Sequence, residues 1–193
     1  MKIKEITAFP IRVRKDDEAE GKDKPEVIDF GDYYVDKEAF TSIYSKHHET
    51  TVIKIETDTG IVGWGEAQTP VSPRTTQAII EDLVRPMILG RDPFDIEAIW
   101  TRNYGAMRER GHPTGFYIDA IGGTDIALWD IVGKATGKPV HKLAGGRYRD
   151  KIKLYAGIGG TNADKVADAA EEHVGYGYKA LKLHLIVDGD SVA

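Results

Sequence analysis

The stretch Gly177-Tyr178-Lys179-Ala180-Leu181-Lys182-Leu183-His184-Leu185 decides how the rest of the chain is read. Its apolar residues suit a strand, yet it carries Lys182 and His184 two positions apart. Side chains i and i+2 of a strand point to one face. Lys182 and His184 are therefore expected side by side with Ala180 behind them, while Leu181, Leu183 and Leu185 fill the opposite face. Two ionisable groups on one face of an otherwise apolar strand are costly unless they serve chemistry. The plainer alternative is an edge strand with a solvated polar face.

Working back from this stretch, Gly175 to Gly177 stops a helix that starts near Ala163, capped by Thr161 or Asn162. Val166, Ala169, Ala170 and Val174 mark its inner face. Before it, residues 153–156 read as a strand, followed by Gly157-Ile158-Gly159-Gly160. Strand, helix, strand at this spacing is a βαβ unit, which requires parallel strands. Parallel sheets are buried on both faces, so two such strands are not a finished domain. The expectation is that this chain is the front of a longer one, or that a second chain completes it. Residues 187–193 read as a loop and the start of another helix, which favours the former.

The first half has a different rhythm. Ile3, Ile6 and Ala8, then Ile11 and Val13, predict an edge strand interrupted near Pro10. Residues 50–67 predict a hairpin turning at Asp58-Thr59-Gly60, and the glycines beside Trp64 suggest a close backbone approach or a bulge. Ser72-Pro73 has the form of a helix start, and Pro86 should end or kink that helix. A second helix is marked by Asp95, Ile96, Ile99, Trp100 and Met107. A third, over 117–134, is apolar on more than one face and should be buried on several sides. Pro139 to Leu143 is a short helical turn closed by Gly145-Gly146. The change of rhythm places a domain boundary near residue 115, with a three-stranded sheet plus helices in 1–115.

Between the first strand and the hairpin, residues 25–48 interleave Phe30, Tyr33, Tyr34, Phe40 and Tyr44 with Asp29, Asp32, Asp36, His47 and His48. A long irregular segment of this kind is a lid or binding loop, or else a surface loop with aromatic anchors.

The composition narrows the classes. Of the 193 residues 41% are hydrophobic and 30% charged, which predicts a folded chain. A net charge of -5 with no clustered basic face argues against a nucleic-acid partner. The absence of cysteine excludes disulfides and thiolate metal sites and fits a reducing cytoplasm. The start, Met1-Lys2-Ile3-Lys4-Glu5, lacks the apolar core of a signal peptide, and no run reaches the roughly 18 apolar residues of a membrane span.

The order and spacing of several pieces carry a resemblance. They are residues 57–67 (Thr-Asp-Thr-Gly-Ile-Val-Gly-Trp-Gly-Glu-Ala); Gly90-Arg91-Asp92-Pro93-Phe94-Asp95-Ile96-Glu97; residues 125–134 (Asp-Ile-Ala-Leu-Trp-Asp-Ile-Val-Gly-Lys); Pro139 through Gly146; and 177–184. Together they resemble the mandelate racemase/muconate lactonizing enzyme group of the enolase superfamily, over essentially the whole chain. The resemblance implies an α+β capping domain followed by the beginning of a (β/α) TIM-type barrel, with 116–193 supplying the first helix and first β/α units. It also implies Mg²⁺ as cofactor, with ligands beyond Ala193, a small carboxylate substrate and a homo-oligomeric full-length protein.

In that group the second barrel strand ends in Lys-x-Lys, whose second lysine removes the proton α to the substrate carboxylate. Here the motif is Lys182-Leu183-His184. A free lysine titrates near about 10.4 and an imidazole near about 6.5, so the histidine is closer to the range a base needs. Lys182 is assigned an electrostatic role and His184 proton transfer; alternatively, His184 only hydrogen-bonds the substrate and a later residue is the base. The segment 25–48 corresponds to the group's mobile capping loop, making Tyr33, Tyr34, His47 and His48 candidates for substrate contact. Its polar aromatics suit a hydroxylated substrate, and dehydration of a sugar acid is the expected reaction. Racemisation, epimerisation and cycloisomerisation share the first step. A non-catalytic fragment or cap that needs a partner chain is the competing class.

Overall fold

The computed structural model describes residues 1–15, 26–36, 42–159 and 163–183. Its contacts divide the chain into two units, the second beginning at Arg147. In the first unit, β1 (Ile3–Arg14) is followed by three short strands, β2 (Val27–Asp29), β3 (Tyr33–Asp36) and β4 (Ile43–Ser45). The long β5 (His47–Thr57) and β6 (Val62–Ala67) come next. β1, β5 and β6 form an antiparallel sheet in the order β1-β5-β6, and β2, β3 and β4 form a second, smaller one.

The central strand shows why the large sheet forms. Along β5, Glu49, Thr51, Ile53, Ile55 and Thr57 alternate inward, while the intervening residues are half-buried. Ile6 and Ala8 of β1 pair with Ile55 and Ile53, and a register irregularity between Ile3 and Glu5 brings Ile3 into the same buried set. The expected interruption at Pro10 does not occur. β1 runs through it opposite Thr51, because an edge strand can carry a proline without losing its ladder.

The hairpin turn closes with the Gly60 N–H donating to the Thr57 carbonyl at 3.1 Å, Gly60 having φ +84°. Beyond it come α1 (Pro73–Ile79), a π-helical turn (Ile80–Val84), α2 (Arg85–Ile88), α3 (Ile96–Arg108), α4 (Phe116–Thr136) and α5 (Val140–Leu143). Pro86 neither ends nor sharply breaks the first helix. The preceding turn widens, and the Arg85 N–H reaches the Ile80 carbonyl, which accommodates a ring that would crowd an α-helical carbonyl. Ser72 lies at the start of α1 with φ 54°, and its hydroxyl pairs with Thr75 rather than capping a backbone N–H.

α4 is the core helix. Tyr117, Ala120, Ile121, Ala127, Leu128 and Ile131 are buried in one cluster with Ile53, Ile55, Ile80, Val84 and Ile99. It meets β6 backbone to backbone. A Cβ on Gly65 would lie 2.0 Å from the Gly123 carbonyl oxygen, and one on Gly63 would lie 2.2 Å from that of Ala127. The glycines flanking Trp64 thus mark close approach, and the β5–β6 register continues without a bulge. Asp130 accepts from the Trp64 N–H at 2.8 Å and the Lys134 ammonium donates to the Val62 carbonyl at 2.8 Å, so α4 also covers groups of an edge strand. The sheet packing of α4 puts it with the first unit, and the contact division falls after Gly146 rather than near residue 115.

The second unit contains β7 (Ala156–Ile158), α6 (Ala163–Gly175) and β8 (Leu181–Leu183). β7 and β8 pair in parallel, Gly157 opposite Lys182. This is the expected βαβ unit, with the first strand beginning at Ala156 instead of Lys153. On α6 the half-buried face is Val166, Ala169, Ala170 and His173, and Val174 is exposed. The His173 Nδ1 lies 2.8 Å from the Ala169 carbonyl, which satisfies the ring inside its own helix.

Candidate active site

Lys182 occupies the middle of β8. Residues paired directly across a parallel ladder share a face, so Lys182 stands beside Gly157, where a Cβ would meet nothing within 4 Å. Tyr155, two residues before Gly157, supplies a ring whose centroid lies 5.9 Å from the Lys182 ammonium, within the range of a cation–π contact. Lys182 and Tyr155 are both exposed, so within the described residues this is a solvated polar face that offers a cation and an aromatic ring. His184 lies outside the described residues.

The cap candidates separate. Residues 27–36 and 43–45 are not an irregular loop: they form the small antiparallel sheet, with Asp29 opposite Tyr34 and Tyr34 opposite Tyr44. Phe40 lies outside the described residues. His47 and His48 belong to β5, paired with Arg14 and Val13. Tyr33 and His47 meet in one polar cluster. The Tyr33 hydroxyl donates to Glu49 Oε2 at 3.2 Å, the Ser45 hydroxyl donates to Glu49 Oε1 at 3.0 Å, and the His47 N–H donates to the Ser45 hydroxyl at 3.0 Å. The His47 Nδ1 is buried without a hydrogen-bond partner. Tyr34 faces away from this cluster and stacks on Tyr44 with centroids 5.5 Å apart. His48 is exposed.

Glu49 and Arg12 were not anticipated from sequence. Arg12 Nε donates to Glu49 at 2.7 Å and its Nη1 donates to Asp32 at 2.9 Å. These two carboxylates, Glu49 first, hold the guanidinium even more firmly protonated than usual. The available signal was phase: Glu49 falls in step with Thr51, Ile53 and Ile55, so an acid was due on the buried face.

Among the described residues no three His, Asp or Glu side chains are grouped to hold a metal ion. The described residues thus do not fit a magnesium centre. No described helix is long and apolar enough to cross a membrane.

A three-stranded sheet with α4 laid on its glycine-bearing strand, followed by a parallel βαβ unit, defines an α+β capping domain and the start of a β/α barrel. Residues 36–145 match the mandelate racemase/muconate lactonizing enzyme N-terminal domain. The chain belongs to that family, the capping domain of the enolase superfamily. It is similar to the D-galactonate dehydratase of Pectobacterium atrosepticum, with 43% identity over 132 residues, covering 68% of this chain and 34% of that protein. It therefore spans about a third of the length of the curated relatives it matches. Among solved structures it is similar to a putative isomerase from Sinorhizobium meliloti, with TM-score 0.82 and 39% identity over 98% of this chain and 49% of that one. It is also similar to an enolase from Pantoea ananatis with bound D-gluconate and magnesium, with TM-score 0.63 and 34% identity over 70% of this chain and 32% of that one.

Proposed function

We propose that this chain is the capping domain and opening β/α segment of a lyase that dehydrates a sugar acid. The observation that carries the reading is the 43% identity to a D-galactonate dehydratase over 132 residues. The D-gluconate in the Pantoea ananatis structure supports the same substrate class. The full-length protein is proposed as a cytoplasmic homo-oligomer, the location resting on a cysteine-free composition.

In such a reaction a base removes the proton α to the carboxylate, hydroxide leaves the neighbouring carbon with a proton, and the enol becomes a 2-keto-3-deoxy acid. An ammonium held against the carboxylate stabilises the charge that develops there, and Lys182 presents an exposed ammonium on β8. Lys182 is assigned that role and His184 the proton transfer. Tyr34, His47 and His48 remain the cap candidates for substrate contact, since the Tyr33 hydroxyl is committed to Glu49 and Ser72. Magnesium on a substrate carboxylate would stabilise an enolate.

The test is a panel of aldonates and aldarates given to the full-length protein with Mg²⁺, monitored for 2-keto-3-deoxy acids. Turnover of D-galactonate or a close stereoisomer is expected. The likeness to the putative isomerase from Sinorhizobium meliloti supports a second reading, isomerisation. Exchange of the α-proton with solvent deuterium and retention of every hydroxyl would favour it and contradict dehydration.

A further inference from the structure

The small sheet β2-β3-β4 has little apolar anchorage. Val27, Ile28, Phe30 and Ile43 are all exposed, and the buried residue on its strands is a serine, Ser45. A hairpin of this size without a hydrophobic face is marginal by itself. Side chains from several elements meet at one carboxylate, Glu49, whose side chain is 0% exposed, while Lys15 Nζ separately donates to the Ser45 carbonyl at 3.0 Å.

Each Glu49 oxygen is used. Oε1 accepts from Arg12 Nε at 2.7 Å and from the Ser45 hydroxyl at 3.0 Å, and Oε2 accepts from the Tyr33 hydroxyl at 3.2 Å. Arg12 extends the set to Asp32 at 2.9 Å, and its guanidinium carbon lies 5.6 Å from the Tyr33 ring centroid. The Tyr33 hydroxyl also accepts from the Ser72 N–H at 3.1 Å. Ser72 has φ +54°, the sole non-glycine residue with positive φ among those described. One buried acid thus joins β1, β3, β4 and, through Tyr33, the entry to α1.

We propose that Glu49 is the latch that seats the β2-β3-β4 sheet on the large sheet, so that the small sheet opens as a unit when the latch is broken while the core stays closed. Charge-assisted hydrogen bonds in a desolvated site are the strong ones, and losing one partner strands the others. The core beneath is held by Ile53, Ile55 and α4, none of which depends on Glu49.

The test is amide hydrogen exchange on the full-length protein carrying Glu49→Gln or Tyr33→Phe, with Asp29→Asn as a control that breaks the exposed Lys46–Asp29 pair. Glu49→Gln should speed exchange in β2, β3 and β4 by about tenfold or more, with Tyr33→Phe in the same direction and smaller. Amides at Ile53 and Ile55 should keep the parent's rates. Unchanged exchange in the small sheet of the Glu49 variant would overturn the proposal. So would acceleration shared equally by Ile53 and Ile55, or an effect of Asp29→Asn as large as that of Glu49→Gln.

Discussion

Asp125 and Glu5 are acids whose surroundings push them in opposite directions. Asp125, half-buried on α4, is raised above the usual carboxylate value chiefly by burial and next by the charge of Glu97, and a hydrogen bond from Trp129 partly opposes this. Its ionised form therefore costs stability, and the cost sets in as pH rises from the unfolded value of about 3.8. Asp125→Asn should accordingly gain stability relative to the parent between about pH 3 and pH 7. Urea unfolding across that range checks it, and a flat difference contradicts it. Glu5 is lowered, first by hydrogen bonding from Arg85, whose Nε and Nη2 donate to its two oxygens at 2.8 Å and 3.0 Å. That contribution is present above about pH 4.5 and lost as pH falls through the depressed folded value. Both side chains are more than a third exposed, so solvent screening keeps this contribution small. Arg85→Gln should remove that part of the acid slope, which urea unfolding across the acid range checks. The Glu5–Arg85 pairing was not legible in sequence, because the two lie 80 positions apart and meet only through the fold.

Helices and hairpins were the readable elements, since periodicity and turn residues are local. The glycines around Trp64 were legible as a close approach, but their partner was not, because Gly123 and Ala127 belong to a helix far along the chain. Gly65→Ala would drive a Cβ into backbone, and a loss of about 3 kcal/mol in unfolding free energy is expected. Gly105→Ala is the matched opposite: it lies within α3, where a Cβ meets nothing within 4 Å. A gain of about 0.5–1 kcal/mol is expected there. Equal effects at the two sites would refute the packing account. The small sheet was hidden because its strands are three or four residues long and lack a buried apolar face. β7 was misplaced because Lys153, Leu154 and Tyr155 alternate like a strand, while pairing with β8 starts at Ala156.

The two units differ in what holds them. The buried apolar cluster draws all its members from the first unit, whereas in the second unit Tyr148, Ile152, Leu154, Tyr176 and Leu183 are exposed. Residues 1–146 expressed separately should melt in one cooperative transition, and residues 147–193 should show none; calorimetry of both decides it. At this scale the family was legible from the order of short motifs. Lys182 pairs with Gly157 across the parallel strands, and His184 lies outside the described residues. The most direct test of the account is aldonate dehydration by the full-length protein after Lys182→Ala and, separately, His184→Ala. Losses in kcat of about 10²-fold or more for each are expected, with the stability of the fold unchanged. Turnover at the parent's rate in either variant would contradict the assignment of that residue, and in both would remove this strand from the chemistry.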